Sequence, residues 1–189
     1  MKNKVLLVFI LVALLQLAVP LKMIYDKEMV ISNGTEYKFR TAPVDPYDPF
    51  RGKYITLTFD ANNFDVDNDT LWHQDDNIYV LLGVDSAGFA KIVNVMKQQP
   101  LNDKPDYVKA KVQYAYDNKV TLEYNFNKFF MEESKAQNAE NIYRAANSRW
   151  NNDTLQEAYA LVSVKKGDAV IKDVIVNGKS VTVLANEKE

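Results

Sequence analysis

Residues 78 to 96 read IYVLLGVDSAGFAKIVNVM, two apolar runs around a polar turn. Ile78 to Val84 and Phe89 to Met96 have the length of strands and are too short for independent helices. Asp85-Ser86-Ala87-Gly88 between them is a hairpin link carrying a glycine. The same grammar recurs along the chain. Tyr107 to Tyr116 and Lys119 to Phe126 flank Asp117-Asn118, two residues that tolerate the positive φ of a tight turn. Leu155 to Val164, Ala169 to Val176 and Ser180 to Leu184 read as three closing strands separated by turns at Gly167 and Gly178. Glu36 to Thr41 and Tyr54 to Phe59 alternate as shorter strands, with an acidic loop from Asp60 to Asp76 after them. Helical spacing marks one stretch of the body, Ser134 to Asn147, where Ala136, Ala139, Ile142, Tyr143 and Ala146 form a stripe and Ser134 is placed as N-cap. The expected fold is mainly β (α+β): an antiparallel β domain with one inserted helix. Val80 to Val95 and Leu161 to Ile175 look alike: one reading is a pseudo-repeat in which each half of the domain is built on one hairpin, and the favoured one is two hairpins obeying the same turn rules.

The chain has 189 residues, 47% of them hydrophobic, a size suited to one domain with a core. A formal charge of −2 gives no basic footprint for nucleic acid. Without cysteine there is no disulfide, thiolate metal site, cysteine nucleophile or lipidated cysteine. A single histidine, His73, leaves little material for triads or zinc sites. The expectation is no catalytic residue, no metal and no cofactor.

Val5 through Leu21 is apolar apart from Gln16, and Lys2 and Lys4 precede it. About 17 residues is the short end of the transmembrane range. The run lacks a good small-x-small cleavage site, so an uncleaved anchor is expected over a cleaved signal peptide. Lysines ahead of the run favour a cytoplasmic N-terminus. A helix could continue over Ile24 to Ser32, with Gly34 as its stop. The expected organisation is residues 1–32 as membrane anchor and juxtamembrane helix, 33–185 as the β domain and 186–189 as a polar tail.

Pro43, Pro46 and Pro49 recur every third residue through Pro-Val-Asp-Pro-Tyr-Asp-Pro-Phe-Arg-Gly-Lys-Tyr. Each fixes φ and disfavours helix in the residue before it, so a stiff extended arm carrying Asp45 and Asp48 is expected. This run, ending in Tyr54-Ile55-Thr56-Leu57-Thr58-Phe59, resembles the GDYXXLXY family of bacterial proteins, which has no established biochemical activity. Tyr25, Glu28 and Gly34 resemble the family's approach to the arm, and Phe129-Phe130-Met131-Glu132 resembles its second block. Three positions depart from it: Lys53 stands where the family has Asp, Phe59 where it has Tyr, and Glu133 where it has Gly. The resemblance implies a bacterial envelope protein that accompanies a multi-span membrane protein.

The expected function is non-enzymatic: a single-pass protein of the bacterial inner membrane, embedded in lipid through residues 5–21, whose periplasmic or extracytoplasmic β domain binds or supports another membrane protein. The candidate partner-binding residues are Asp45, Tyr47, Asp48, Phe50, Arg51, Tyr54 and Glu132. The alternative is a hydrolase or glycan-binding domain with Asp45, Asp48, Arg51 and Glu132 as its polar centre. Asp65, Asp67, Asp69 and Asp76 imitate calcium-loop spacing, but Thr70 stands where the loop needs glycine, so a solvated acidic loop is expected.

Overall fold

The computed structural model describes residues 2–42, 54–101, 105–147 and 157–187. Helix α1 spans Lys2–Asn33. Its stretch Leu6–Asn33 is long and apolar enough to cross a membrane, and none of it is covered by the body over its most apolar window. Twenty-eight residues extend about 42 Å, more than the roughly 30 Å of a bilayer's hydrocarbon core. The surplus is the charged last third, with Asp26, Lys27 and Glu28, and it ends against the body. There Val30 is buried, and the Ser163 hydroxyl donates to the Val30 carbonyl at 2.6 Å. Gly34 follows directly, its N–H returning to the same carbonyl at 2.9 Å.

The body is built from antiparallel sheets. Strands β1 (Thr35–Arg40), β9 (Ala158–Lys165), β10 (Asp168–Val176) and β11 (Lys179–Ser180) form one sheet in the order β1-β9-β10-β11. A second has the order β3-β7-β6-β4-β5, from β3 (Asn63–Asp65), β7 (Lys119–Tyr124), β6 (Tyr107–Tyr116), β4 (Asn77–Val84) and β5 (Ala90–Met96). Strands β2 (Tyr54–Thr56) and β8 (Lys128–Phe130) make a two-stranded ribbon. The hairpin that opened the sequence argument pairs as expected, and Asp85 accepts from the N–H groups of Ala87 and Phe89 to hold its turn. Asp117 and Asn118 both take positive φ, 53° and 55°, the geometry of a two-residue hairpin turn.

Alternation sets what is buried. Along β4, Ile78, Val80 and Leu82 point inward, and along β9 Ala158, Ala160, Val162 and Val164 do the same. At the centre Phe39, fully buried, sits with its ring centroid 5.3 Å from Phe59, 5.8 Å from Tyr124 and 5.3 Å from Phe126. Helix α2 (Glu133–Asn147) packs the expected stripe, with Ala136, Ala139, Tyr143 and Ala146 buried and Ile142 partly so. Its polar side is braced by Glu140 and Arg144, one turn apart and 2.9 Å from each other.

Four local readings are corrected. The strand expected over Ser180 to Leu184 ends at Ser180: helix α3 spans Val181–Asn186, burying Val181 and Ala185 one turn apart, so the described residues of the body hold two α-helices instead of one. Alternating apolar residues over so few positions fit either period, and packing against α2 selects the helix. Helix α2 begins at Glu133, which puts Ser134 inside its first turn; the Glu132 carbonyl accepts from the Lys135 and Ala136 N–H groups instead. The Tyr54–Phe59 run is regular strand only to Thr56, and then continues by single bonds, Leu57 N–H to Asn127 and Ala42 N–H to Thr58. The acidic loop is partly structured, containing β3 and a 3-10 turn at Asp69–Leu71.

Candidate functional site

Asp45, Tyr47, Asp48, Phe50 and Arg51 lie outside the described residues, as does Lys53. Of the seven candidates, Tyr54 and Glu132 are described, and the ribbon and its exit bring them close in the fold. In β2 the side chains alternate, so Ile55 is buried while Tyr54 and Thr56 face outward. Opposite them, β8 buries Phe129 and exposes Lys128 and Phe130. Tyr54 pairs directly with Phe130, their ring centroids 5.3 Å apart, and Phe130 is 67% exposed. The Lys128 ammonium stands 4.9 Å from the centre of the Tyr54 ring. The result is an outward aromatic pair with a cation at its edge, at the end of the ribbon where β2 begins.

Two residues past Phe130, Glu132 is exposed and pairs with Lys135 at 2.7 Å. Hydrogen bonds from the Lys135 and Ser134 side chains, then the Lys135 charge, hold its carboxyl below the usual range. Glu132 is thus a solvated, ion-paired residue at the entry of α2. Among the described residues, neither Tyr54 nor Glu132 lines the openings found. The larger openings are elsewhere: a charged one of about 440 Å³ around Arg40, Asp60 and Asp85, and an apolar one of about 510 Å³ around Leu71, Trp72 and Met96.

Sequence reading did not place Phe130 or Lys128 among the candidate residues. Their signal was present, since Lys128-Phe129-Phe130 alternates, and an aromatic beside a buried one on a strand must face outward. Asp65, Asp69 and Asp76 of the acidic loop do not converge, and no group of acidic residues and His73 that could hold a metal is found among the described residues. Asp76 instead accepts from the Lys97 side chain at 2.7 Å and from the His73 N–H at 3.0 Å, which lowers its pKa.

The family model for "GDYXXLXY protein" matches residues 16–174, most of the chain. The chain belongs to the GDYXXLXY family. No curated protein and no solved structure matches it. Within the GDYXXLXY signature, Ile55, Leu57 and Phe59 are 1–2% exposed and serve the core. Tyr54 and the two threonines between them are the described signature positions left facing outward.

One titration crosses the body away from this site. The Tyr37 hydroxyl donates to the Asp106 carboxylate at 3.1 Å, and burial, the Asp106 charge and that bond push its pKa up to about 12. A raised tyrosine pKa contributes stability that is complete below the unfolded value near 10 and is lost as pH rises towards 12. Chemical denaturation midpoints should therefore fall between about pH 10 and 12. Tyr37→Phe should flatten the early part of that fall, leaving what buried Tyr124 and Tyr143, shifted in the same direction, contribute.

Proposed function

We propose that this is a single-pass bacterial inner-membrane protein whose β domain faces the periplasm and binds a multi-span membrane protein through the Tyr54–Phe130 face. The observation that supports this reading is an internal comparison. Ribbon β3–β7 has the same register as β2–β8: Asn63 with Thr121, Phe64 with Val120 and Asp65 with Lys119, against Lys128 with Thr56, Phe129 with Ile55 and Phe130 with Tyr54. In each the middle residues point inward and the last pair points out. At that outer position one ribbon carries an ion pair, Asp65 and Lys119 at 3.8 Å, which keeps it soluble. The other carries two aromatic rings. The fold has no need of aromatics there, and exposed aromatics with a neighbouring cation are the material of protein-interface anchors. Asp48 and Arg51, a few residues before Tyr54 in the sequence, are proposed to serve the same partner.

Two measurements test it. Tagged full-length protein, solubilised from bacterial membranes, should bring down a multi-span membrane protein. Tyr54→Ala with Phe130→Ala should lower that recovery at least tenfold while the protein still melts cooperatively; undiminished recovery removes the site. Separately, the full-length chain should stay in the pellet after alkaline carbonate washing. A soluble product trimmed near Met23 would show a cleaved signal and detach the reading from the inner membrane.

A further inference from the structure

We infer that the body is two interlocked copies of one five-stranded unit, β1 to β5 and β6 to β10, related by a twofold-like axis. The pairings carry the argument. Strand β6 lies beside β4, and its counterpart β1 lies beside β9, so each unit lends its first strand to the other. Hairpin β4–β5 corresponds to β9–β10, and ribbon β3–β7 to β8–β2. The pairing of Ala110 with Tyr124 in β6–β7 has its counterpart in the bridge between Thr41 and Phe59. Among the described residues, the strand pairing left over is β10–β11.

The correspondence reaches single residues. Both hairpins carry a bulge at the same step: Leu82 pairs Ile92 and Leu81 pairs Asn94, while Val162 pairs Ile171 and Leu161 pairs Asp173. Past each bulge the side chain folds back on the next N–H at 2.8 Å, Asn94 onto Val95 and Asp173 onto Val174. Both hairpin tips turn on a glycine of positive φ, Gly88 and Gly167, and both tips are bridged in parallel by a first strand, Lys38 to Phe89 and, shifted by one residue on each side, Val108 to Gly167. Where Arg40 stacks on Phe89, Lys109 meets Asp168. The Leu122 N–H donates to the Asn62 carbonyl at 2.7 Å, and the Leu57 N–H to the Asn127 carbonyl at 2.8 Å. Two hairpins meeting common turn rules explain none of the long-range registers, so the expectation of mere likeness is replaced by duplication. It follows that Tyr54-Ile55-Thr56-Leu57-Thr58-Phe59 has a second copy in Lys119-Val120-Thr121-Leu122-Glu123-Tyr124. The signature strand is then a fold element used twice, and what distinguishes the copies is the outer pair, Tyr54 and Phe130 against Lys119 and Asp65.

The test uses the asymmetry between Phe59 and Tyr124. The Tyr124 hydroxyl donates to the Ala61 carbonyl. The counterpart of Ala61 is Phe126, whose ring centroid lies 5.6 Å from that of Phe59. A hydroxyl introduced by Phe59→Tyr should reach the Phe126 carbonyl. In the full-length protein in detergent it should raise Tm by about 2–4 °C, the shift a hydrogen bond gives in a domain of this size. An unchanged or lower Tm overturns the equivalence, because a hydroxyl buried there without an acceptor destabilises. Independently, Tyr54→Lys with Phe130→Asp imports the outer pair of the sister ribbon and should keep a cooperative transition within about 4 °C of the parent. Loss of that transition also overturns the duplication. Neither readout involves the proposed partner, so both stand or fall apart from it.

Discussion

Phe39→Ala should destabilise the body by about 3–5 kcal/mol, the usual cost of deleting a buried phenylalanine. Phe39 has no exposed surface, and its ring touches Phe59 from one part of the chain and Tyr124 and Phe126 from another. Rings meeting edge-on or tilted at such distances add to the area they bury. The three rings left around the gap cannot all close over it, because Tyr124 is fixed in β7 and Phe59 by its bridge to Thr41. Urea denaturation of full-length protein in detergent, followed by tryptophan fluorescence, would measure it. A loss under about 1.5 kcal/mol would mean that the cluster repacks and is not the keystone described here. Phe39→Leu, which keeps most of the volume, should lose less than half as much.

Gly34→Ala should be the most damaging change of a single methyl group. A Cβ built there meets the Ser163 hydroxyl at 2.4 Å, the Val30 carbonyl at 2.5 Å and the Val164 carbonyl at 2.9 Å. Two of the three are backbone atoms of packed elements and cannot rotate away. The helix end must therefore lift off β9, breaking the bond from Ser163 to Val30. Overpacking of this kind costs about 1–3 kcal/mol. Its distinctive readout is local: limited proteolysis should open new cleavage between Tyr25 and Gly34 at temperatures where the sheets remain folded. Ser163→Ala, which removes the bond but adds no bulk, should show the same cleavage more weakly. If Gly34→Ala melts and digests as the parent does, the anchor and the body are not held as one at this joint.

Helix α1, the hairpin at Asp85–Gly88 and the turn at Asp117-Asn118 were legible because each is a local matter. Apolar length makes a membrane helix, and turn chemistry makes a hairpin, whatever lies elsewhere in the chain. The stripe of α2 was legible for the same reason, though its first residue was not, since Ser134 as N-cap and Glu132 as the accepting carbonyl differ by a single turn's choice. Ser180 to Leu184 was misread because five residues satisfy both periods, and the contact with α2 that decides between them comes from distant sequence. The site was half legible. Tyr54 stood out in the signature, whereas its partner Phe130 is joined to it only by the β2–β8 register.

The sequence by itself determined the membrane-length helix, the antiparallel β character, the family and the buried positions within each strand, all of which follow from periods and turns a few residues long. The tertiary structure alone decided that β1 lies beside β9 and β6 beside β4, and that an ion pair and an aromatic pair occupy matching places. Strand alternation says which side chains point inward but carries no address for the neighbouring strand, so that choice waits until the two sheets close over one core.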